Sequence, residues 1–161
     1  MNGASDERTH SGESEKERLD RNLSEMLQEL RVALPGVQVL FAFLLTVPFT
    51  QAFPTLSEFE RKGYFFVLVT TALATAFLIA PTAIHRMLFR EGKKEEIVMR
   101  SNTLSLIGLA VLVVAMTGAV TLIAHVVFGQ GTAIVTAILS ALVFIGLWYV
   151  LPLSDKRRLE V

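Results

Sequence analysis

Leu104-Ser105-Leu106-Ile107-Gly108-Leu109-Ala110-Val111-Leu112-Val113-Val114-Ala115-Met116-Thr117-Gly118-Ala119-Val120-Thr121-Leu122-Ile123-Ala124-His125-Val126-Val127-Phe128 runs for 25 residues without an Asp, Glu, Lys or Arg. A helix rises about 1.5 Å per residue, so this run exceeds the roughly 30 Å hydrocarbon core of a bilayer. Three more stretches of the same kind surround it: Val32–Phe53, Tyr64–Ile84 and Thr132–Leu153, of 22, 21 and 22 residues. A helix of a soluble protein keeps a polar face at a period of about 3.6. None of the four stretches has one, so they read as membrane spans (32–53, 64–84, 104–128 and 132–153).

Of 161 residues, the four spans take 90 and leave 71 in five pieces, the longest being the first 31. Pieces under about 40 residues rarely fold alone, which leaves no room for a soluble catalytic domain. Composition agrees: 52% of residues are apolar and 19% charged, against about 25% charged in a typical soluble domain, and mean hydropathy is +0.53. The expected fold class is all-α, a four-helix transmembrane bundle preceded by an amphipathic N-terminal surface helix. There is no cysteine, which removes disulfides and thiolate chemistry. A formal net charge of zero argues against a nucleic-acid partner. The first span follows 31 residues rich in Glu and exceeds the 7–15 residues or so of a signal-peptide core, so it reads as a retained span.

Lys and Arg in short loops favour the cytoplasm. Residues 1–31 hold five, Arg61 and Lys62 follow the first span, five lie between the second and third (Arg86, Arg90, Lys93, Lys94, Arg100), none follows the third, and Lys156, Arg157 and Arg158 follow the fourth. The two sides carry thirteen and two. Both termini are therefore expected in the cytoplasm of a bacterial cell, with the chain multi-pass in its inner, or plasma, membrane. Trp148 and Tyr149 at one interface, and Tyr64, Phe65 and Phe66 at the other, fit an aromatic belt.

Residues 1–13 read as a disordered tail and 154–161 as a basic one. Ser14-Glu15-Lys16-Glu17 has capping-box spacing, and Glu17 and Arg21 stand at i,i+4. Leu19, Leu23, Met26, Leu27 and Leu30 then form one stripe, with Arg18, Arg21, Glu25 and Glu29 elsewhere on the helix. Residues 14–31 read as an amphipathic interfacial helix lying on the membrane, or packed on the second loop or on another copy. Pro35-Gly36 is expected to bend it into the first span. Pro48, lacking an N–H, predicts a kink inside that span, with the freed carbonyl taken by a neighbouring helix, a hydroxyl or water.

Small residues four apart permit the close contact that holds helices together in lipid. They recur at Ala72, Ala76 and Ala80, at Ala115 and Ala119, and at Ala133, Ala137 and Ala141. The short turn Gly129-Gln130-Gly131 makes the last two spans an antiparallel hairpin.

An ionisable side chain inside a span is by default a functional candidate, and no Asp or Glu lies in any of the four. Gln38 sits about 9 Å into the first span, where it either lines a site or bonds across helices. His125, near the end of the third, is either a functional group of a type able to change charge in the physiological range or a solvated interfacial histidine. The span threonines can bond back to their own helices. Arg86, Arg90, Lys93, Lys94 and Arg100 are candidates for anionic-lipid contact, or serve topology alone, since Glu91, Glu95 and Glu96 dilute them. The three histidines, 10, 85 and 125, do not share a membrane face, so no metal site is expected. Catalytic and cofactor fingerprints are missing: neither enzyme activity nor a cofactor is expected.

The run Arg21-Asn22-Leu23-Ser24-Glu25-Met26-Leu27-Gln28-Glu29-Leu30-Arg31-Val32-Ala33, leading into Gly36-Val37-Gln38-Val39-Leu40-Phe41-Ala42-Phe43-Leu44-Leu45, resembles an uncharacterised actinobacterial family of four-span membrane proteins, a domain of unknown function. Leu78-Ile79-Ala80-Pro81, His85-Arg86 and Phe89-Arg90 are similar to its second signature. The resemblance covers about residues 18–153. It implies a shared function at the inner face around Glu29, Arg31, Gln38, His85 and Arg86, and some relatives carry a sodium:proton antiporter label. Two functions follow as expectations: a structural or accessory protein that binds lipids, a second copy or a membrane-protein partner; or, as the alternative, an oligomeric channel or antiporter-like transporter.

Overall fold

The computed structural model describes residues 15–88, 94–152 and 154. The chain forms four long helices: α1 (Glu15–Thr46), α2 (Glu58–Leu88), α3 (Lys94–Phe128) and α4 (Gln130–Ile145), the last continuing through a π-helical turn at Gly146–Val150. Four helical stretches are long and apolar enough to cross a membrane: Arg21–Phe49, Glu58–Met87, Glu96–Phe128 and Gln130–Val150. The expected four-helix transmembrane bundle is thus present. Short 3-10 turns at Val47–Phe49 and Phe53–Thr55 join α1 to α2.

The α2–α3 pair is the centre. Along α2 the buried residues include Tyr64, Val67, Thr71, Ala74, Leu78 and Pro81; along α3 they include Ser101, Ser105, Gly108, Leu112, Ala115 and Ala119. Both series alternate steps of three and four, the spacing that keeps a seam facing its partner in left-handed helix packing. The pair is antiparallel: a Cβ on Gly108 would stand 2.9 Å from Leu78 Cγ, and one on Gly118 3.0 Å from Val67 Cγ2. At these two glycines the side chains of α2 reach the backbone of α3.

In α2 the alanine ridge expected at Ala72, Ala76 and Ala80 is not the contact face. Ala76 is exposed and Ala74 is fully buried. A four-residue step overshoots the 3.6-residue turn and drifts off the partner, whereas alternating three and four averages to the seam. Ala115 and Ala119 are buried as expected, and on α4 Ala133 is buried with Ala137 and Ala141 half-buried. Gly129 makes the α3–α4 turn with φ 85° and ψ −178°, a conformation open essentially to glycine alone.

α1 lies against both central helices. Leu30 and Val37 pack with Ala74, Leu78 and Leu112; further along, Leu44 packs with Tyr64, Val67 and Ala119. Its buried residues are Leu23, Leu30, Val37 and Leu44, each seven apart, so one stripe continues through the amphipathic and the apolar halves. This corrects two expectations. Residues 15–31 are not a separate surface helix but the first turns of α1, seated on α3, where Ser105 Oγ lies 3.9 Å from Met26 Sδ. Pro35 stands inside this unbroken helix; it removes one backbone bond, and the stripe on either side of it packs in register.

Pro48 ends α1 in a 3-10 turn instead of kinking a continuing helix. The carbonyl it leaves without an N–H is that of Leu44, and the buried Tyr64 hydroxyl donates to it at 2.7 Å. Tyr64 is accordingly turned inward against Phe53, ring centroids 5.3 Å apart, while Phe65 and Phe66 keep the exposed positions expected of a belt. Ser57 and Glu60 cap α2 reciprocally: Glu60 Oε2 accepts from Ser57 N and Oγ, both at 2.7 Å, and Glu60 N donates to Ser57 Oγ at 3.3 Å. That box is legible as Ser-x-x-Glu. The Ser14 box, the tails 1–13 and 155–161, Phe89, Arg90, Glu91 and Lys93 lie outside the described residues, as do the side chains of Glu17, Lys94 and Glu95.

Candidate functional site

The antiparallel helices place the start of α1, the end of α2, the start of α3 and the end of α4 at one end of the bundle, and the 47–57 connection with Gly129 at the other. The candidate residues divide between these ends. Glu29, Arg31, His85, Arg86 and Arg100 belong to the first and His125 to the second, with Gln38 between them on α1.

One concavity lies at the second end. α4 leans on α3 and diverges from α2, leaving a lateral cleft of about 540 Å³ between them. Its walls are apolar: Phe66 and Val67 from α2, Leu122 from α3, Ile134 and Ala137 from α4. Gly63 and Gly118 leave room in its floor, and Phe59, His125 and Gln130 stand at its mouth. A size of this order, mostly apolar with a few polar groups, is that of a small-molecule or lipid-chain site. His125 is half-buried, its ring edge-on to Phe59 at 5.7 Å between centroids, and the Glu60 carboxylate is near enough to interact with it electrostatically. The imidazole is the titratable group of this cleft; the other lining side chains supply shape, one amide and one hydroxyl.

The buried hydroxyls of the bundle are not all satisfied alike. Thr70, Thr71 and Thr75 donate to Phe66 O, Val67 O and Thr71 O at 2.7–2.8 Å, the back-bonding expected of span threonines. Thr117 and Thr121, one turn apart on α3, do not, and their buried oxygens have no hydrogen-bond partner among the described residues; Ser101 Oγ is a third such atom. Composition alone does not separate these hydroxyls from the satisfied ones.

At the first end a shallower cleft of about 430 Å³ between α1 and α3 is lined by Asn22, Glu25, Met26, Glu29, Val98, Met99 and Asn102. Glu29 is therefore grouped with amides and a second carboxylate. Arg31, two residues on, is exposed about 200° round the helix. His85 is half-buried and Arg86 exposed in the last turn of α2. Arg100 pairs with Glu96 one turn away, as Lys62 does with Glu58 at 2.6 Å; exposed pairs of this kind contribute little. Gln38 is exposed and makes no hydrogen bond among the described residues, so the interhelical bond expected of it is not formed within one chain. No group of three or more His, Cys, Asp or Glu side chains is placed to hold a metal among the described residues.

Against known proteins, no curated sequence and no solved structure matches the chain. Residues 12–152 match the model of a family of unknown function, DUF6328. Nearly the whole bundle, from the first turns of α1 to the end of α4, falls within that match, and the chain belongs to the DUF6328 family.

Proposed function

We propose that this protein is a structural or accessory component of a bacterial plasma membrane, with both termini in the cytoplasm, acting through its outer helix faces on lipid, on a second copy or on a membrane-protein partner. One observation carries the reading. The buried interior of the bundle, among the described residues, consists of apolar, glycine, proline and hydroxyl side chains, with Tyr64 its one larger polar group, packed at Gly108 and Gly118 until backbone and side chain touch. Such an interior holds helices together and offers no charged group for an ion to exchange with. The outer faces of α4 and of α1 beyond Arg31, by contrast, are largely apolar, with Val39, Phe43, Leu139 and Leu142 exposed. Thirteen basic residues at the end bearing both termini, against two at the other, support the orientation.

The test is purification of the tagged chain from its native membrane in mild detergent. Recovery with a membrane-protein partner or as a defined oligomer supports the proposal; a monodisperse monomer that drives sodium-dependent proton flux in proteoliposomes overturns it. A second reading, an oligomeric channel or antiporter-like transporter, has one observation on its side: His125 at the mouth of the α2–α4 cleft, one turn from the unpartnered Thr121 hydroxyl. It requires flux that His125→Gln abolishes.

A further inference from the structure

α1 carries two stripes. One, Leu23, Leu30, Val37 and Leu44, is spent on α2 and α3. The other, Arg31, Pro35, Gln38, Ala42 and Leu45, followed by Phe49 in the 3-10 turn, is exposed throughout, with Val32, Val39 and Phe43 exposed beside it. No helix among the described residues covers this face. Lipid chains cannot satisfy an amide. Gln38 stands in the middle of this stripe, about 9 Å into the apolar run by helical rise, with its donor and acceptor unused among the described residues.

From this we infer that the exposed α1 stripe is a homodimer interface, closed by a reciprocal Gln38–Gln38 hydrogen bond between two copies. The choice of a second copy follows from symmetry. Two copies inserted with the same topology present parallel α1 helices, and a two-fold axis along the membrane normal brings each residue to its own counterpart at equal depth. A glutamine side chain is self-complementary, offering an N–H₂ donor and a carbonyl acceptor, so the two amides satisfy each other with no further group. Pro35 and Ala42, one turn to either side, are compact enough to let the helices approach. A single polar residue in an otherwise apolar heptad seam is also a known way to fix register and favour two strands. Arg31 ends the stripe at the polar boundary, where like charges remain hydrated. The inference deepens the proposed accessory role by naming its partner, and it stands or falls independently of whether a further protein is recovered with the chain.

The native chain has no cysteine, so single cysteines report cleanly. Ala42→Cys and Leu45→Cys on the stripe, and Phe43→Cys on α1 and Leu139→Cys on α4 as exposed positions off it, are introduced into the full chain and oxidised mildly in native membranes. The expected result is disulfide-linked dimer at 42 and 45, several-fold above 43 and 139. Adding Gln38→Leu lowers the cross-linked fraction about three- to tenfold, as loss of one interhelical bond in lipid allows, while Gln38→Asn retains most of it. Emission of the sole tryptophan, Trp148, confirms that each variant keeps its fold. Equal cross-linking at all four positions, none at any, a product with a different protein's mass, or a dimer indifferent to Gln38→Leu would each overturn the interface.

Discussion

α1 and α4 both lie against the α2–α3 pair, and they are attached by different chemistry. α1 inserts a stripe of four residues spaced seven apart into the groove between two helices and is pinned at its end by Tyr64 on the Leu44 carbonyl. α4 rests an alanine ridge on α3, is joined to it through the single residue Gly129, and leaves a cleft toward α2. One flanking helix is thus held by shape plus a hydrogen bond that a proline made necessary. The other is held by shape and by the shortness of its connection. The difference shows how a bundle with no charge inside still specifies each neighbour: a freed backbone carbonyl in lipid is costly enough to act as an address.

The largest expected effect tests the pair on which both flanking helices depend. Gly108→Val forces new carbons against Leu78, whose Cγ and Cδ2 already stand 2.9 Å and whose backbone nitrogen stands 3.2 Å from the position of a Cβ. Unfolding in mixed micelles, read from Trp148 emission, should show a loss of about 3 kcal/mol, the upper range for overpacking; wild-type stability would mean that α2 and α3 are not in contact there. Next comes the pin on α1. Tyr64→Phe leaves the Leu44 carbonyl buried and unpaired, a cost of about 2 kcal/mol. In a Pro48→Ala background, which restores an N–H to that carbonyl, the same change should cost about half as much. Equal costs in both backgrounds would show that the proline does not create the need for the hydroxyl.

The hairpin of α4 ranks third: Gly129→Ala must hold an alanine at φ 85°, for about 1–2 kcal/mol, and cysteine cross-linking between α3 and α4 should show the helices loosened. The smallest effect is expected at Gly36, where an added Cβ meets nothing within 4 Å. Gly36→Ala should leave the bundle intact and raise stability by about 0.5–1 kcal/mol through the helix backbone alone. A large loss in the same micelle titration would place a neighbour against that face within one chain.

Much of this was legible residue by residue. The four spans follow from runs without charge, the hairpin from Gly129-Gln130-Gly131, the α3 and α4 alanine contacts from small-residue spacing, and from Pro48 the need for some group to satisfy a freed carbonyl. Two misreadings share a cause. The leucines of 19–30 look like a membrane-surface stripe because their polar neighbours are conspicuous, yet the decisive signal is the step of seven from Leu23 to Leu44, which crosses Pro35 unbroken. Ala72, Ala76 and Ala80 look like a ridge because they are small, although Ala74 and Leu78 carry the contact. For the cleft there was less to read: His125 stands out by its chemistry, but Phe59, Gly63, Gly118 and Ile134 join it only because α4 diverges from α2.

The sequence alone determined that the chain holds four stretches long and apolar enough to cross a membrane, because transfer of a side chain into hydrocarbon depends on that side chain and its immediate neighbours in the chain. Which face of each helix is buried, that Tyr64 rather than water answers Pro48, and that Gln38 is left facing outward were decided only by the tertiary structure. These are properties of pairs of surfaces brought together from distant parts of the chain, and in lipid, where every apolar face is equally welcome in the solvent, close fit and hydrogen bonding choose between them.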